Sequence, residues 1–197
     1  MNRSTNSAAS WTVISPDLSH GSGGTGGSFG TVTTLAVARS DGRVIYAGTD
    51  DGRVWITRNT GGSWTEITAG LPIRWITRVA VDPTDPNTAY VTVSGYRNGD
   101  PGAHVFRTTN GGTGWQDLSA GLPDAPANAV VLDPRNRTVL YVATDVGVFT
   151  ATAGGAWSAV GTGLPLVPIA DLDVAPSGTG VVITAATYGL GMYRTTG

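Results

Sequence analysis

Apolar residues in this chain come in short runs bounded by glycine, aspartate or proline, and the runs recur in a fixed order. Thr34–Ala38, Arg78–Asp82, Ala129–Asp133 and Asp171–Ala175 read as the first strand of each repeat. A turn-forming cluster follows each one: Ser40-Asp41-Gly42, Asp82-Pro83, Asp133-Pro134 and Ala175-Pro176. Second strands follow at Val44–Gly48, Ala89–Val93, Val139–Ala143 and Val181–Ala185. Third strands are Arg53–Thr57, Ala103–Arg107, Gly147–Thr150 and Gly191–Arg194. β-branched and aromatic residues dominate these runs, as a pleated, half-buried surface requires. No window of useful length carries helical periodicity. The pattern predicts an all-β chain of repeated short strands.

Tryptophan anchors the repeat. Trp11, Trp64, Trp115 and Trp157 each end an eight-residue phrase, clearest in Thr57–Trp64 and Thr108–Trp115 and worn in Ser4–Trp11 and Thr150–Trp157. A fourth strand starts at Trp64, Trp115 and Trp157, and Gly-Leu-Pro follows at 70–72, 121–123 and 163–165. Repeats fall at roughly 31–72, 73–123, 124–165 and 166–197, and a period of this length signals an array or a propeller. The last repeat lacks its turn and fourth strand, which residues 3–15 supply. The expectation is therefore a single β-propeller domain over 1–197, with four four-stranded blades and the last completed by the N-terminal strand. Closure is open between cis, in a monomer, and trans, in a strand-exchanged homodimer with an eight-bladed ring. A start inside a repeat turn favours trimming from a larger parent protein.

These phrases resemble the Asp-box, or BNR, repeat (Ser/Thr-x-Asp-x-Gly-x-Thr-Trp) of sialidase-like and sortilin-like propellers. The resemblance covers nearly the whole chain. It is closest to bacterial BNR-repeat, sortilin-like and glycosyl-hydrolase-type proteins, through Tyr46–Gly52, Tyr141–Gly147 and Ala186–Met192. The box is a structural device: a short polar side chain at its third position fixes the turn, Gly at its fifth admits unusual backbone geometry, and Trp covers the turn. Here Asn6, Asn59, Asn110 and Thr152 stand at the Asp position, and Ala8 replaces one Gly, which weakens the N-terminal box and the box that ends at Trp157. By resemblance the chain is extracellular or on the cell surface, although Met1–Asn6 lacks the apolar core of a signal peptide.

Composition narrows the function. Net charge is −2 with a pI near 5.5, so nothing electrostatic favours nucleic acid or an anionic membrane surface. No stretch reaches the length of a membrane span. Cysteine is absent, which removes disulfides, thiolate chemistry and Cys-based metal sites. His20 and His104 share no metal-ligand spacing, so neither a metal nor a cofactor is expected. Gly21–Gly27 lacks the Lys-Ser/Thr and helix of a phosphate loop and reads as a slack connection.

The resemblance implies a ligand face opposite the boxes, built from loops between strands four and one and between strands two and three. Arg74-Trp75 is the most suggestive pair there, since an aromatic plate beside a guanidinium suits a sugar or a carboxylated glycan. Trp75 equally serves as an axial plug. Tyr96-Arg97 lies in the longest loop between strands two and three, and reads either as a reaching arm or as a solvated hairpin tip. Asp51 and Asp145 precede Gly in similar contexts and read as turn formers or as ligand-face acids; Tyr188 shares that face. Arg78 and Asp171, in equivalent inner positions, read as an ion pair. No catalytic set is recognisable. The single Glu, Glu66, lies just past a box Trp on the outermost strand. Two readings follow: a non-catalytic binding or assembly module for a glycan or protein ligand, and a glycoside hydrolase, xyloglucanase-like or sialidase-like, using Asp on the loop face.

Overall fold

The computed structural model describes residues 1–20 and 30–197. The Gly21–Gly27 connection lies outside them. An N-terminal hairpin pairs β1 (Asn2–Arg3) with β2 (Thr12–Val13). Blade 1 contains β3 (Val32–Val37), β4 (Ile45–Thr49), β5 (Val54–Thr57) and β6 (Thr65–Glu66). Blade 2 contains β7 (Trp75–Val81), β8 (Ala89–Ser94), β9 (Ala103–Thr108) and β10 (Gln116–Asp117). Blade 3 contains β11 (Ala127–Leu132), β12 (Val139–Thr144), β13 (Gly147–Thr152) and β14 (Ser158–Ala159). Among the described residues blade 4 has three strands, β15 (Ile169–Ser177), β16 (Gly180–Thr187) and β17 (Gly191–Thr196). Every pairing among the described residues is antiparallel and between sequence neighbours, as up-and-down blades require.

Each inner strand starts before the expected position, and the reason is a β-bulge. Register shifts fall between Val32 and Thr34, Ile76 and Arg78, Ala127 and Ala129, and Ile169 and Asp171. The extra residue breaks the alternation and re-aims its own side chain. Thr33 Oγ1 donates to Ile76 O of blade 2 at 2.6 Å, and Thr77 Oγ1 to Ala127 O of blade 3 at 2.8 Å. Asn128 Nδ2 donates to Ile169 O of blade 4 at 3.1 Å. The fourth bulge carries Ala170, which has no such group to offer. So the same irregularity that ends the simple pattern stitches one blade to the next.

Tryptophan makes the second stitch, at the rim. Trp64 Nε1 donates to Ile14 O, Trp115 Nε1 to Ile67 O and Trp157 Nε1 to Leu118 O, each at 2.8 Å. Each acceptor lies three residues beyond the Trp of the preceding repeat. The turns behind these Trp residues are fixed by side chains. In the second, Thr108 Oγ1 accepts from Gly112 N at 2.9 Å and Asn110 Oδ1 from Gly114 N at 3.0 Å. The N-terminal turn, expected to be weakened by its departures, keeps the same set: Ala8 N donates to Ser4 Oγ at 2.9 Å and Ser10 N to Asn6 Oδ1 at 3.0 Å. The Thr150–Trp157 turn closes instead on a backbone bond from Gly155 N to Thr152 O at 2.7 Å.

The core fills the spaces between blades. Between blades 1 and 2 it holds Tyr46, Val54, Ile56, Val79, Val91 and Phe106. Tyr46 is buried, donates to Pro86 O in blade 2 at 2.8 Å, and burial pushes its pKa up to about 12. Matching layers lie between blades 2 and 3 and between blades 3 and 4. The N-terminal strand was expected on the last blade. In this structure β2 pairs with β1, while β17 pairs only with β16 among the described residues. The indole of Trp64 holds Ile14, and with it the hairpin, against blade 1.

Candidate functional site

The inner ends of the blades and the loops above them enclose a basin of about 990 Å³. Thr31, Thr33, Trp75, Thr77, Tyr96, Asn128, Asp145, Pro168, Ala170 and Tyr188 line it, so all four blades contribute. Trp75 opens β7 after the Gly-Leu-Pro turn, where Arg74 N bonds Pro72 O at 2.9 Å and aims the strand inward. Tyr96 starts a short 3₁₀ turn, Tyr96–Asn98, that Gly99 ends in the left-handed conformation. Tyr188 follows β16, and its N–H is held by Pro168 O at 2.8 Å. Three aromatic side chains therefore face one opening, and two of them, Tyr96 and Tyr188, are 72% and 77% exposed.

Polar groups in the basin are already organised. Asn128 Nδ2 donates to Asp145 Oδ1 at 2.8 Å while also holding blade 4. The Arg97 guanidinium lies 4.2 Å from the centre of the Trp75 ring, a cation–π stack that covers one side of the indole. The loop carrying Tyr96 and Arg97 is braced at its base. His104 Nε2 donates to Asp100 Oδ2 at 2.8 Å, and Gly102 N to Asp100 Oδ1 at 3.1 Å. The His104 bond, with a smaller contribution from the backbone bond, holds the Asp100 carboxyl below its ordinary pKa against the opposing cost of desolvation.

Of the seven residues expected on this face, Trp75, Tyr96, Asp145 and Tyr188 line the basin, and Arg97 stacks on Trp75. Arg74 and Asp51 do not line it. Arg74 Nη1 turns back to Ile73 O at 2.9 Å. Asp51 accepts from His20 N at 2.8 Å and from Thr49 Oγ1, so it shapes its own loop. Glu66 sits on β6, 3.3 Å from both Arg53 and His20, in a separate cluster. Arg78 and Asp171 form the ion pair, linking β7 to β15. Sequence reasoning missed Asn128 and the threonines at 31, 33 and 77. For Thr33, Thr77 and Asn128 the signal was a polar residue interrupting an apolar run at equivalent places, which marks the bulge.

Among the described residues no group of three His, Asp or Glu is placed to hold a metal ion. No helix among them is long and apolar enough to cross a membrane.

No protein-family model matches the chain, and no curated protein does. Solved structures do. An ancestral GH74 enzyme aligns with 99% of this chain at a TM-score of 0.73 and 22% identity. The GH74 xyloglucanase of Xanthomonas campestris aligns with 86% at 0.64 and 22% identity. YCF48 bound to D1 peptide aligns with 83% at 0.56 and 17% identity. The chain spans 27% and 29% of the two GH74 structures and 54% of the YCF48 structure. At these identities the likeness shows the fold alone, that of a β-propeller.

Proposed function

We propose that this chain is a non-catalytic propeller module of the Asp-box kind that binds its ligand across the basin, with a glycan as the ligand class and a secreted or surface protein as the setting. One observation carries the reading: Trp75, Tyr96 and Tyr188 converge on one open basin around a small set of fixed polar groups. Flat aromatic surface beside hydrogen-bonding side chains suits the apolar faces and hydroxyl edges of sugar rings. Arg97 on Trp75 is the gate: a ring stacking on the indole either displaces the guanidinium or packs on its other side.

The hydrolase reading draws on the GH74 neighbours. Glycoside hydrolysis uses two carboxyl groups roughly 5–9.5 Å apart across the scissile bond. Asp145 is the carboxylate that lines the basin among the described residues, and Asn128 already bonds it. A peptide ligand is a further reading, favoured by the YCF48 structure with its bound D1 peptide.

A glycan array followed by calorimetry on the hits tests the module, with reducing-sugar release assayed on the same polysaccharides. Binding without release is expected, and Trp75→Ala should weaken it about tenfold or more. Sugar release by the wild type that Asp145→Asn abolishes would replace the module reading with the hydrolase.

A further inference from the structure

The slots that receive the repeat tryptophans can be compared position by position. Trp115 packs in a slot whose walls include Val54, Ile67, Leu71, Ala89, Val91 and Phe106. Trp157 packs in the next, with Val105, Leu118, Leu122, Leu140 and Val142. Register pairing carries the first set onto blades 3 and 4. Ile67 N bonds Val54 O as Val160 N bonds Val148 O, and Phe106 pairs with Val91 as Tyr193 pairs with Ala185. The equivalent walls are Val148, Val160, Leu164, Ile183, Ala185 and Tyr193. These residues line an open cleft with a cavity volume of about 70 Å³. It is a tryptophan slot without a tryptophan.

At the other end of the molecule the complement is exposed. Trp11 belongs to a turn with the full side-chain bond set of its homologues, yet it is 63% exposed. Leu35 and Val37 on β3 are 57% and 48% exposed. The register makes them the equivalents of Val79 and Val81, and of Leu172 and Val174, which pack against a preceding blade. Blade 1 thus offers an apolar face and a loaded Trp hairpin, and blade 4 offers the slot and the edge strand β17, which among the described residues pairs only with β16.

We propose that the cleft between blades 3 and 4 is a docking site for the N-terminal hairpin of a second copy of this chain. Trp11 of one copy enters the cleft of the other and donates to Val160 O, the carbonyl three residues beyond Trp157. Thr12 pairs with Arg194, as Thr65 pairs with Ile56 and Gln116 with Arg107. The two-residue β1, which occupies that place on β2 within one chain, gives way to β17. Reciprocal docking closes two copies into an eight-bladed ring and doubles the basin.

The second face of this interface is less apolar than the internal ones. Asp173 and Thr184 of blade 4 stand where blades 1 to 3 have Ala36 and Tyr46, Ala80 and Tyr90, and Val131 and Tyr141. Association is therefore reversible, and Asp173 opposes it.

Light scattering on the full chain over a concentration series tests this. A reversible shift from 20.1 kDa toward twice that mass is expected. Trp11→Ala should weaken association at least tenfold, whereas Asp173→Ala should strengthen it, which a merely destabilising change would not do. The chain has no cysteine, so cross-linking is free of background. Mixing Thr12→Cys copies with Arg194→Cys copies should give a disulfide-linked heterodimer that Trp11→Ala suppresses. A single mass of 20.1 kDa at every concentration without that heterodimer overturns the proposal. So does a Thr12→Cys/Arg194→Cys chain that cross-links only within a monomer.

Discussion

Gly61, Gly112 and Gly154 hold the same place in three successive turns, at φ of +90°, +86° and +88°. A side chain at such a φ is strained by about 1 kcal/mol wherever it stands. Their surroundings differ. A Cβ on Gly112 would lie 2.6 Å from Ile67 Cβ, in the wall of the preceding blade, while one on Gly154 meets nothing within 4 Å. Gly112→Ala should therefore lose the backbone cost plus about 1–3 kcal/mol of overpacking, and Gly154→Ala only the backbone cost. Urea unfolding of the two variants separates them; equal losses would mean that the blades are not held at this spacing. Ala8 already sits at φ +67° in the N-terminal turn, so Ala8→Gly should stabilise that hairpin, read as slower amide exchange at residues 8–14. Titration offers a second residue-scale check. The Asp100 pKa is depressed in the fold, so its contribution is complete above the ordinary value of 3.8 and is lost as pH falls through the lowered one. Below that range the Tyr96 loop should loosen, and Asp100→Asn should show the same loosening at neutral pH, measured by exchange at Gly102.

Bulges rule the scale of the element. Thr77 Oγ1 joins Thr92 within its blade and Ala127 O in the next, both at 2.8 Å. Thr77→Val keeps the shape and removes the bonds, leaving a carbonyl short of its donor at a cost of about 1–3 kcal/mol. Denaturant midpoints for this variant and for a surface control such as Thr113→Val measure the difference. The strands themselves were legible, because alternation and turn residues report burial on one face directly. Their starts were not: Thr33, Thr77 and Asn128 interrupt the alternation, and a one-residue insertion has no period to reveal it. The same blindness hid the bulge residues Thr33, Thr77 and Asn128 that line the basin. Trp75, Tyr96 and Tyr188 could be placed from the loops that the Asp-box resemblance assigns to the ligand face, whereas Asn128 could not, since its direction depends on the bulge. Arg74 and Asp51 turn into their own loops, because bonds to the nearest carbonyl and amide decide the rotamer of a loop residue.

Across the whole molecule the blades pack mainly on their neighbours, β3 on β7, β7 on β11 and β11 on β15, with the Arg78–Asp171 ion pair reaching from blade 2 to blade 4. Stability in such a series is nearly a sum of unit and interface contributions. Trp115 joins two complete blades and Trp64 joins a blade to a hairpin. Trp115→Ala should accordingly split unfolding into two transitions, at a cost of about 3–5 kcal/mol, while Trp64→Ala should release the hairpin and leave one main transition. Calorimetry distinguishes the two patterns.

The rim bonds also impose an order in time. Ile67 receives its indole from a residue 48 positions downstream, and Leu118 from one 39 downstream. At roughly 5–20 residues per second, a ribosome finishes a blade and then takes on the order of 2–10 s to deliver the side chain that seals it. During that interval each newly made blade shows its own share of such a slot, the counterpart of Val148, Val160 and Leu164 in the cleft between blades 3 and 4. A nascent chain halted before Trp115 should therefore recruit a chaperone at blade 1, and one halted after Trp115 has left the exit tunnel should let it go.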